Sequence, residues 1–380
     1  MAEVVIVGGG VGGLVAAKRL RGRLDGGHHI TVIDQSPVHV FQPSLLWVAD
    51  GTRDPDRIAR PLARLQRRGI AFRHGRVAAL DPAGRRVRVD GEAIPYDMLV
   101  LAPGVELRPQ ALPGLAEAGA NLYTVDGARE TARAIARFPG GRVVILVAAL
   151  PFKCPAAPYE AAMLLDARLR NRRVQAEVAV YTPEPQPMPV AGPVLGAAVQ
   201  GMLAERGIAY FPNHKPIAVD AASRTVRFES GATAAFDLLV YVPPHAAPAF
   251  VAEAGLAPAG GWVKVDARTL ATLADGVWAV GDVTGIPLPN GKMLPKAGVF
   301  AEGEAEVVAR NIAALVRGAV PTAAFDGAGA CFLEMGDGRA GFATGNFYTA
   351  PDPAVRLKTP GRRWHWGKVL LEKTWFPRWL

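Results

Sequence analysis

Cysteine is nearly missing from this chain. Cys154 and Cys331 are the only two in 380 residues, which excludes a disulfide framework and suits a reducing compartment. Any thiol chemistry therefore falls to that pair. Long apolar runs are lacking too. The longest, Val143 to Leu150, is far short of the roughly 20 residues that a bilayer-spanning helix requires. The first strand follows Met1 so closely that a cleavable signal peptide is not expected. No zinc-ligand spacing occurs, so no metal is expected. No aromatic–basic recognition module accompanies the formal charge of +9, so nucleic acid is not an expected partner. Arginine solvating an Ala/Gly-rich chain explains much of that charge, and an anionic membrane surface is the other reading. Half the residues are apolar, so the chain is globular and long enough for two or three domains.

What is present begins with Val4-Val5-Ile6-Val7, a β-branched and apolar run that reads as a buried parallel strand. It leads into Gly8-x-Gly10-x-x-Gly13, with Gly12 inside the loop, and Leu14 to Leu20 reads as a helix. Gly8 allows the tight turn, Gly10 the close approach of a pyrophosphate, and Gly13 close packing of helix on strand. The helix N-terminus aims free N–H groups at the phosphates. A second strand, Ile30 to Ile33, ends in Asp34, where an acid meets an adenosine ribose. These features in register point to a bound dinucleotide. The spacing also predicts a helix over Ile58 to Arg68.

The plan then recurs 140 residues later. Val144 to Val147 repeats Val4 to Val7, and Phe236-Asp237-Leu238-Leu239-Val240 repeats Tyr96-Asp97-Met98-Leu99-Val100. Two copies of a Rossmann-like fold are expected, each a parallel sheet interrupted by a small β-meander. Residues 1–110 and 262–320 would form the first domain, 111–261 the second, and 321–380 a C-terminal region. The second copy breaks the glycine rule: positions 148, 150 and 153 hold Ala148, Leu150 and Lys153. Leucine at the close-approach position, followed by Pro151, disfavours a nicotinamide dinucleotide there. Glu184 still sits near the end of the next strand, where a ribose acid would be.

The altered loop carries Phe152-Lys153-Cys154-Pro155, ahead of a helix from about Tyr159 to Arg170. That helix N-terminus and Lys153 would both favour a thiolate at Cys154. Cys331 opens a strand pair formed by Cys331 to Met335 and Gly341 to Ala343. Each cysteine could equally be a buried structural residue. Farther on, Gly281-Asp282 ends another buried strand, and Lys296-Ala297-Gly298 opens a helix to about Val316.

With these residues in place the chain resembles the sulfide:quinone oxidoreductases, within the larger group of flavoproteins with two dinucleotide-binding domains. The likeness rests on Gly8 to Gly13, Phe41-Gln42-Pro43-Ser44, Leu101-Ala102-Pro103-Gly104, the Cys154 loop with Glu160, Pro243-Pro244-His245, Gly281-Asp282, Leu294 to Gly298, and the Cys331 segment. It implies an α/β, glutathione-reductase-like tandem plus a C-terminal membrane and quinone region. FAD would be held by Gly8, Gly10, Gly12, Gly13, Asp34, Gln42, Pro43, Ala102, Gly104, Gly281, Asp282, Lys296, Ala297 and Gly298. Cys154 and Cys331 would be the redox pair beside the flavin, Glu160 an acid–base group, and Lys296 a stabiliser of the reduced ring. Sulfide and a quinone are the implied substrates. The third cysteine of many bacterial members has no counterpart at Asn121-Leu122-Tyr123, and Met188-Pro189-Val190-Ala191 replaces a histidine region seen in some. The rivals are a type II NADH:quinone oxidoreductase, a flavocytochrome c sulfide dehydrogenase flavoprotein, and a non-catalytic FAD-binding membrane sensor.

The last twenty residues hold four of the seven tryptophans, mixed with basic residues. That composition suits a helix lying in a lipid interface, making the protein a peripheral, monotopic one. A helix packed on the protein's own core is the alternative. Pro377 is expected to end the helix. Phe332, Phe342, Trp366 and Trp375 are the candidate quinone contacts, and homo-oligomerisation is left open.

Overall fold

A computed structural model describes all residues, 1–380. In chain order its main elements are β1 (Glu3–Val7), α1 (Val11–Arg21), β2 (His29–Asp34), β3 (Ala71–His74), β4 (Met98–Leu101), β5 (Ala120–Asn121), β6 (Gly141–Val147), α2 (Ala157–Asn171), β7 (Ala176–Tyr181), β8 (Ala209–Phe211), β9 (Leu238–Val242), β10 (Val277–Ala279), α3 (Gly298–Val316), β11 (Ala328–Gly336), β12 (Arg339–Asn346), β13 (Ala354–Gly361) and α4 (Arg362–Trp379). Two five-stranded sheets, β10-β4-β1-β2-β3 and β5-β9-β6-β7-β8, are parallel throughout. Each copy also has a three-stranded antiparallel meander, one built from Val77–Asp81, Arg86–Val89 and Glu92–Pro95, the other from Pro216–Asp220, Thr225–Phe228 and Thr233–Ala235. The internal repeat is therefore structural as well as textual. A third antiparallel sheet, β11-β12-β13, delivers Cys331.

The first glycine loop is sterically obligatory. A Cβ on Gly8, which sits at φ +103°, would lie 2.1 Å from the Ala102 carbonyl oxygen, and one on Gly13 would lie 1.8 Å from that of Gly8. A side chain at Gly8 would push the turn off the Ala102 backbone, and one at Gly13 would drive α1 off the turn.

Two expectations are corrected. Ile58 to Arg68 is not one helix. Ala59–Pro61 pairs antiparallel with Val38–Val40, and Leu62–Arg68 winds as a 3₁₀ helix; Pro61 cannot donate into a continuous α-helix across that boundary. Nor does Pro377 stop the C-terminal helix, which runs to Trp379. Only the last turn is affected by its missing N–H, and Leu380 N–H closes that turn on the Phe376 carbonyl at 2.8 Å.

The four C-terminal tryptophans do not share one surface. Helical spacing puts Lys368, Trp375 and Trp379 on one stripe, and all three are buried. Trp366 is 63 % and Leu370 61 % exposed on the outer side. The inward stripe is clamped by His39, whose Nδ1 faces the Gly9 carbonyl at 2.9 Å while Nε2 accepts from Trp375 Nε1–H at 2.9 Å. That pairing requires the neutral ring with its proton on Nδ1. Burial pushes the His39 pKa down to about 4.

Because the folded-state pKa lies below the ordinary value, the stability supplied by neutral His39 is present above the usual histidine range and is lost as pH falls toward about 4. Trp375→Phe removes the donor to Nε2 and should cost about 1–2 kcal/mol in denaturant melts near neutral pH. The gap to the parent protein should narrow as pH falls and His39 takes up its second proton; a gap independent of pH would contradict the clamp.

Candidate active site

The dinucleotide groove is formed by the first glycine loop and by the strand ends facing it. An ideal Cβ on Gly10 would meet nothing within 4 Å, so space remains at the N-terminus of α1 for a phosphate to approach the backbone. Asp34 is fixed at the rim: its Oδ2 accepts from Gly9 N–H at 2.5 Å and its Oδ1 from Ser36 N–H at 2.7 Å. Gly104, at φ +70°, has open space beside it, whereas Gly12 packs against Val280, Ala102 and Ala301. Pro43 sits in a 3₁₀ turn spanning Gln42–Ser44. Gly281 N–H is held by the Glu304 carboxylate at 2.5 Å, next to Asp282.

Two polar groups near Lys153 and Lys296 lack partners within the chain. No protein group hydrogen-bonds the Asp282 carboxylate, which burial pushes toward protonation against the pull of Lys153 and Lys296. His245 Nε2 is buried without a partner, its Nδ1 being taken by the Pro243 carbonyl. Buried polar atoms need partners, and the hydroxyls and ring edge of a flavin dinucleotide would supply them. The residues present therefore fit FAD.

The second copy's altered loop is drawn onto this groove. Lys153 and Lys296 form a parallel bridge, and Cys154 N–H donates to the Lys296 carbonyl at 2.6 Å. Cys154 takes φ +49°, a left-handed conformation that costs a non-glycine residue free energy and clusters at functional sites. Lys296 opens α3 with Ala297 as cap and Gly298 as first residue. Its ammonium donates to the Asp282 and Thr284 carbonyls at 2.7 and 3.1 Å and lies 3.4 Å from the Trp262 ring centroid. Burial pushes its pKa down to about 8.

Lys153 and a Cys154 thiolate do attract each other, but burial outweighs that attraction. Lys153 Nζ donates to Gln42 Oε1 at 2.7 Å and lies over the Tyr123 ring. Burial, then Glu160 and Cys331, push the Cys154 thiol well above its ordinary pKa. Burial and Glu160 push Cys331 up to about 12. Both residues are free thiols, and the one cation acting to lower both is Lys368.

Cys154 and Cys331 lie in the wall of a single, mostly apolar cavity of about 340 Å³, together with Phe152, Glu184, Lys296 and Phe347. Behind them, buried Glu160 accepts through Oε1 from Glu334 N–H at 2.8 Å and from Lys368 Nζ at 2.9 Å. Glu334 in turn meets His365 Nδ1 at 3.0 Å. Glu160 is thus one end of a buried charged row from the cysteines to the side of α4, and not a solvated first-turn acid. Phe332, next to Cys331, packs on Phe342 with ring centroids 4.9 Å apart, and Phe342 stacks on Trp364 at 4.5 Å. Trp375 is not with them; it packs in the core against His39 and Phe41.

Sequence reasoning missed Lys368, Glu334 and His365, because charged residues on a Trp/Arg-rich helix and a strand read as solvated. Glu334, flanked by apolar residues in Leu333-Glu334-Met335, was the available signal. Glu184 is buried in the cavity wall and takes the Tyr159 hydroxyl's hydrogen bond.

Residues 2–305 match the family described as pyridine nucleotide-disulphide oxidoreductase. The chain is 29 % identical over 393 aligned residues to the sulfide-quinone reductase of Aquifex aeolicus, covering 98 % of this chain and 89 % of that one. It is 26 % identical to the mitochondrial sulfide:quinone oxidoreductase of Mus musculus, over 92 % of this chain and 79 % of that one. The X-ray structure of the sulfide:quinone oxidoreductase from Aquifex aeolicus superposes with a TM-score of 0.88 at 28 % identity, covering 98 % of this chain and 90 % of that one. With a dinucleotide groove that fits FAD and a family match over most of its length, the chain belongs to the pyridine nucleotide-disulphide oxidoreductases, as an FAD-dependent oxidoreductase similar to the sulfide:quinone oxidoreductases.

Proposed function

We propose that this protein oxidises sulfide to sulfane sulfur and passes the electrons to a quinone, with Cys154 and Cys331 as its redox pair. The observation that carries this reading is the shared cavity: two cysteines remote in sequence line one apolar space, and the backbone of the first is bonded to Lys296 of the dinucleotide groove.

Bound FAD supplies a two-electron acceptor beside the thiols. In the oxidised state the two sulfurs are bridged, directly or through added sulfur. Hydrosulfide attacks one of them; a new S–S bond forms as a persulfide, and the other sulfur leaves as a thiolate carrying the electron pair. Lys368 stabilises that thiolate, and Glu160, hydrogen-bonded to Lys368, holds the cation in place as the acid–base group nearest the pair. Lys296 and the N-terminus of α3 provide positive potential for the charge that reduction brings. A second nucleophile removes the sulfane sulfur and leaves a second thiolate; the Cys154–Cys331 bridge would re-form as the pair gives up two electrons to bound FAD, which would hand them on to the quinone.

Side chains alternate along β11, which separates Phe332 from Cys331. The Phe332–Phe342–Trp364 stack is therefore the assigned quinone platform, on the side away from the sulfur cavity. Membrane access is assigned to the exposed face of α4, through Trp366 and Leu370. This is a narrower contact than a whole row of tryptophans, and no helix is long and apolar enough to cross a membrane. An NADH-driven reaction is disfavoured by Ala148, Leu150 and Lys153 at the three glycine positions of the second loop.

Cys154→Ser and Cys331→Ser should each retain the flavin absorbance and lose sulfide-driven bleaching in anaerobic stopped flow by at least about 100-fold. NADH should bleach none of the three proteins. Normal sulfide turnover in either serine variant ends the assignment. Lys368→Met leaves Glu160 buried without its cation and should cost about 3–5 kcal/mol of stability. Adding Glu160→Gln should restore most of that loss in the double variant; two additive losses would show that the pair is not coupled.

A further inference from the structure

Glu184 has no part in the reaction as written, yet it stands in the wall of the sulfur cavity. It follows the end of β7 and is 3 % exposed. Its Oε2 takes the hydrogen bond of the Tyr159 hydroxyl and lies 3.4 Å from Thr182 Oγ1. The groups facing it are Tyr159 on α2, Tyr210 on β8, whose buried hydroxyl has no partner, and Tyr123, whose hydroxyl also reaches the Lys153 and Cys154 carbonyls. No cation bonds it. Burial pushes its pKa up to about 7, while the Tyr159 and Thr182 hydroxyls pull it back down.

The cavity itself disfavours an entering anion. Leu150 and Met293 line it and are each 48 % exposed, and Pro189, Val190 and Leu195 line it with them. Its one other charged side chain, Lys296, has its ammonium committed to two carbonyls and the Trp262 ring. Carrying an anion across such a wall without a free cation costs desolvation that nothing repays. Neutral hydrogen sulfide meets no such barrier.

We propose that Glu184 is the base that deprotonates neutral hydrogen sulfide inside the cavity, so that the nucleophile is formed within the space that Cys154 and Cys331 also line. One S–H bond breaks and one O–H bond forms on the Glu184 carboxylate. The resulting hydrosulfide attacks the sulfur bridge, and the proton returns to solvent through the mouth. No oxidant enters this step. It rests on the sulfide-oxidising reading above and names the protonation state of that reading's substrate.

The test is sulfide-driven flavin bleaching by anaerobic stopped flow from about pH 6 to about pH 9.5 on the FAD-loaded protein. Glu184→Gln should slow bleaching about 10- to 100-fold near pH 7. The deficit should shrink toward pH 6, where Glu184 of the parent protein is itself protonated, and persist toward pH 9.5, because hydrosulfide in solution cannot cross the apolar wall. Tyr159→Phe removes a hydrogen bond that favours the carboxylate, so the Glu184 pKa rises and the acid limb of the profile moves to higher pH. A deficit that closes toward pH 9.5 in Glu184→Gln, which would show hydrosulfide entering as the anion, or an acid limb unmoved in Tyr159→Phe, overturns the proposal. Sulfide bleaching that survives in Cys154→Ser instead removes the parent reading, whatever the Glu184 profile shows.

Discussion

The contact on which the site depends is a short piece of backbone pairing. Lys153 bridges Lys296, and Cys154 N–H closes on the Lys296 carbonyl. These residues come from the loop of the second glycine-type turn and from the start of α3, which packs against α1 of the first copy. Without that joint, Cys154 would belong to one sheet and the dinucleotide groove to another. With it, a thiol is carried by a rigid strand–loop–helix unit to the edge of the groove, and β11 brings Cys331 to the same cavity from the C-terminal sheet. Backbone hydrogen bonds set this placement, so it does not depend on the oxidation state of either sulfur.

Burial then decides the chemistry. Both thiols are driven strongly toward the protonated form, and a helix N-terminus and a neighbouring lysine do not reverse this. Lys153 is committed to Gln42, and the charge that counts comes from Lys368 on the last helix. A lysine buried to 4 % exposure beside a carboxylate at 2 % is costly to desolvate. It survives because Glu160 and Glu334 both favour its charged form. The C-terminal helix is therefore part of the sulfur site through its inner stripe. Its outer stripe is left free for a surface.

Much of this was legible in the sequence. The glycine loop, the repeat 140 residues on, the failed second cradle and the two thiols all depend on local residue types whose spacing survives folding. Gly8 and Gly13 are readable because no other residue fits where they stand. What could not be read depends on which face of an element turns inward. Trp375 and Trp366 look alike in a Trp/Arg-rich tail, yet one is the partner of His39 and the other is exposed. Glu160, Glu334 and Lys368 come from three separated segments, and nothing local in any of them announces the others. Ile58 to Arg68 misled for a similar reason: its apolar spacing suits a helix, but Ala59–Pro61 finds a strand partner at Val38–Val40.

The failed repeat also accounts for where the cavity is. In the first copy, Gly10 leaves open space at the helix N-terminus for a phosphate. In the second, Leu150 and Pro151 occupy the corresponding turn and line the sulfur cavity. An apolar lining replaces the ring of free N–H groups that an anionic cofactor would need. Glu184, near where a ribose acid would sit, lies in that same wall. Leu150, Pro151 and Glu184 thus share one mostly apolar wall. The second copy's β6, α2 and β7 present Cys154 and Glu184 to a common space.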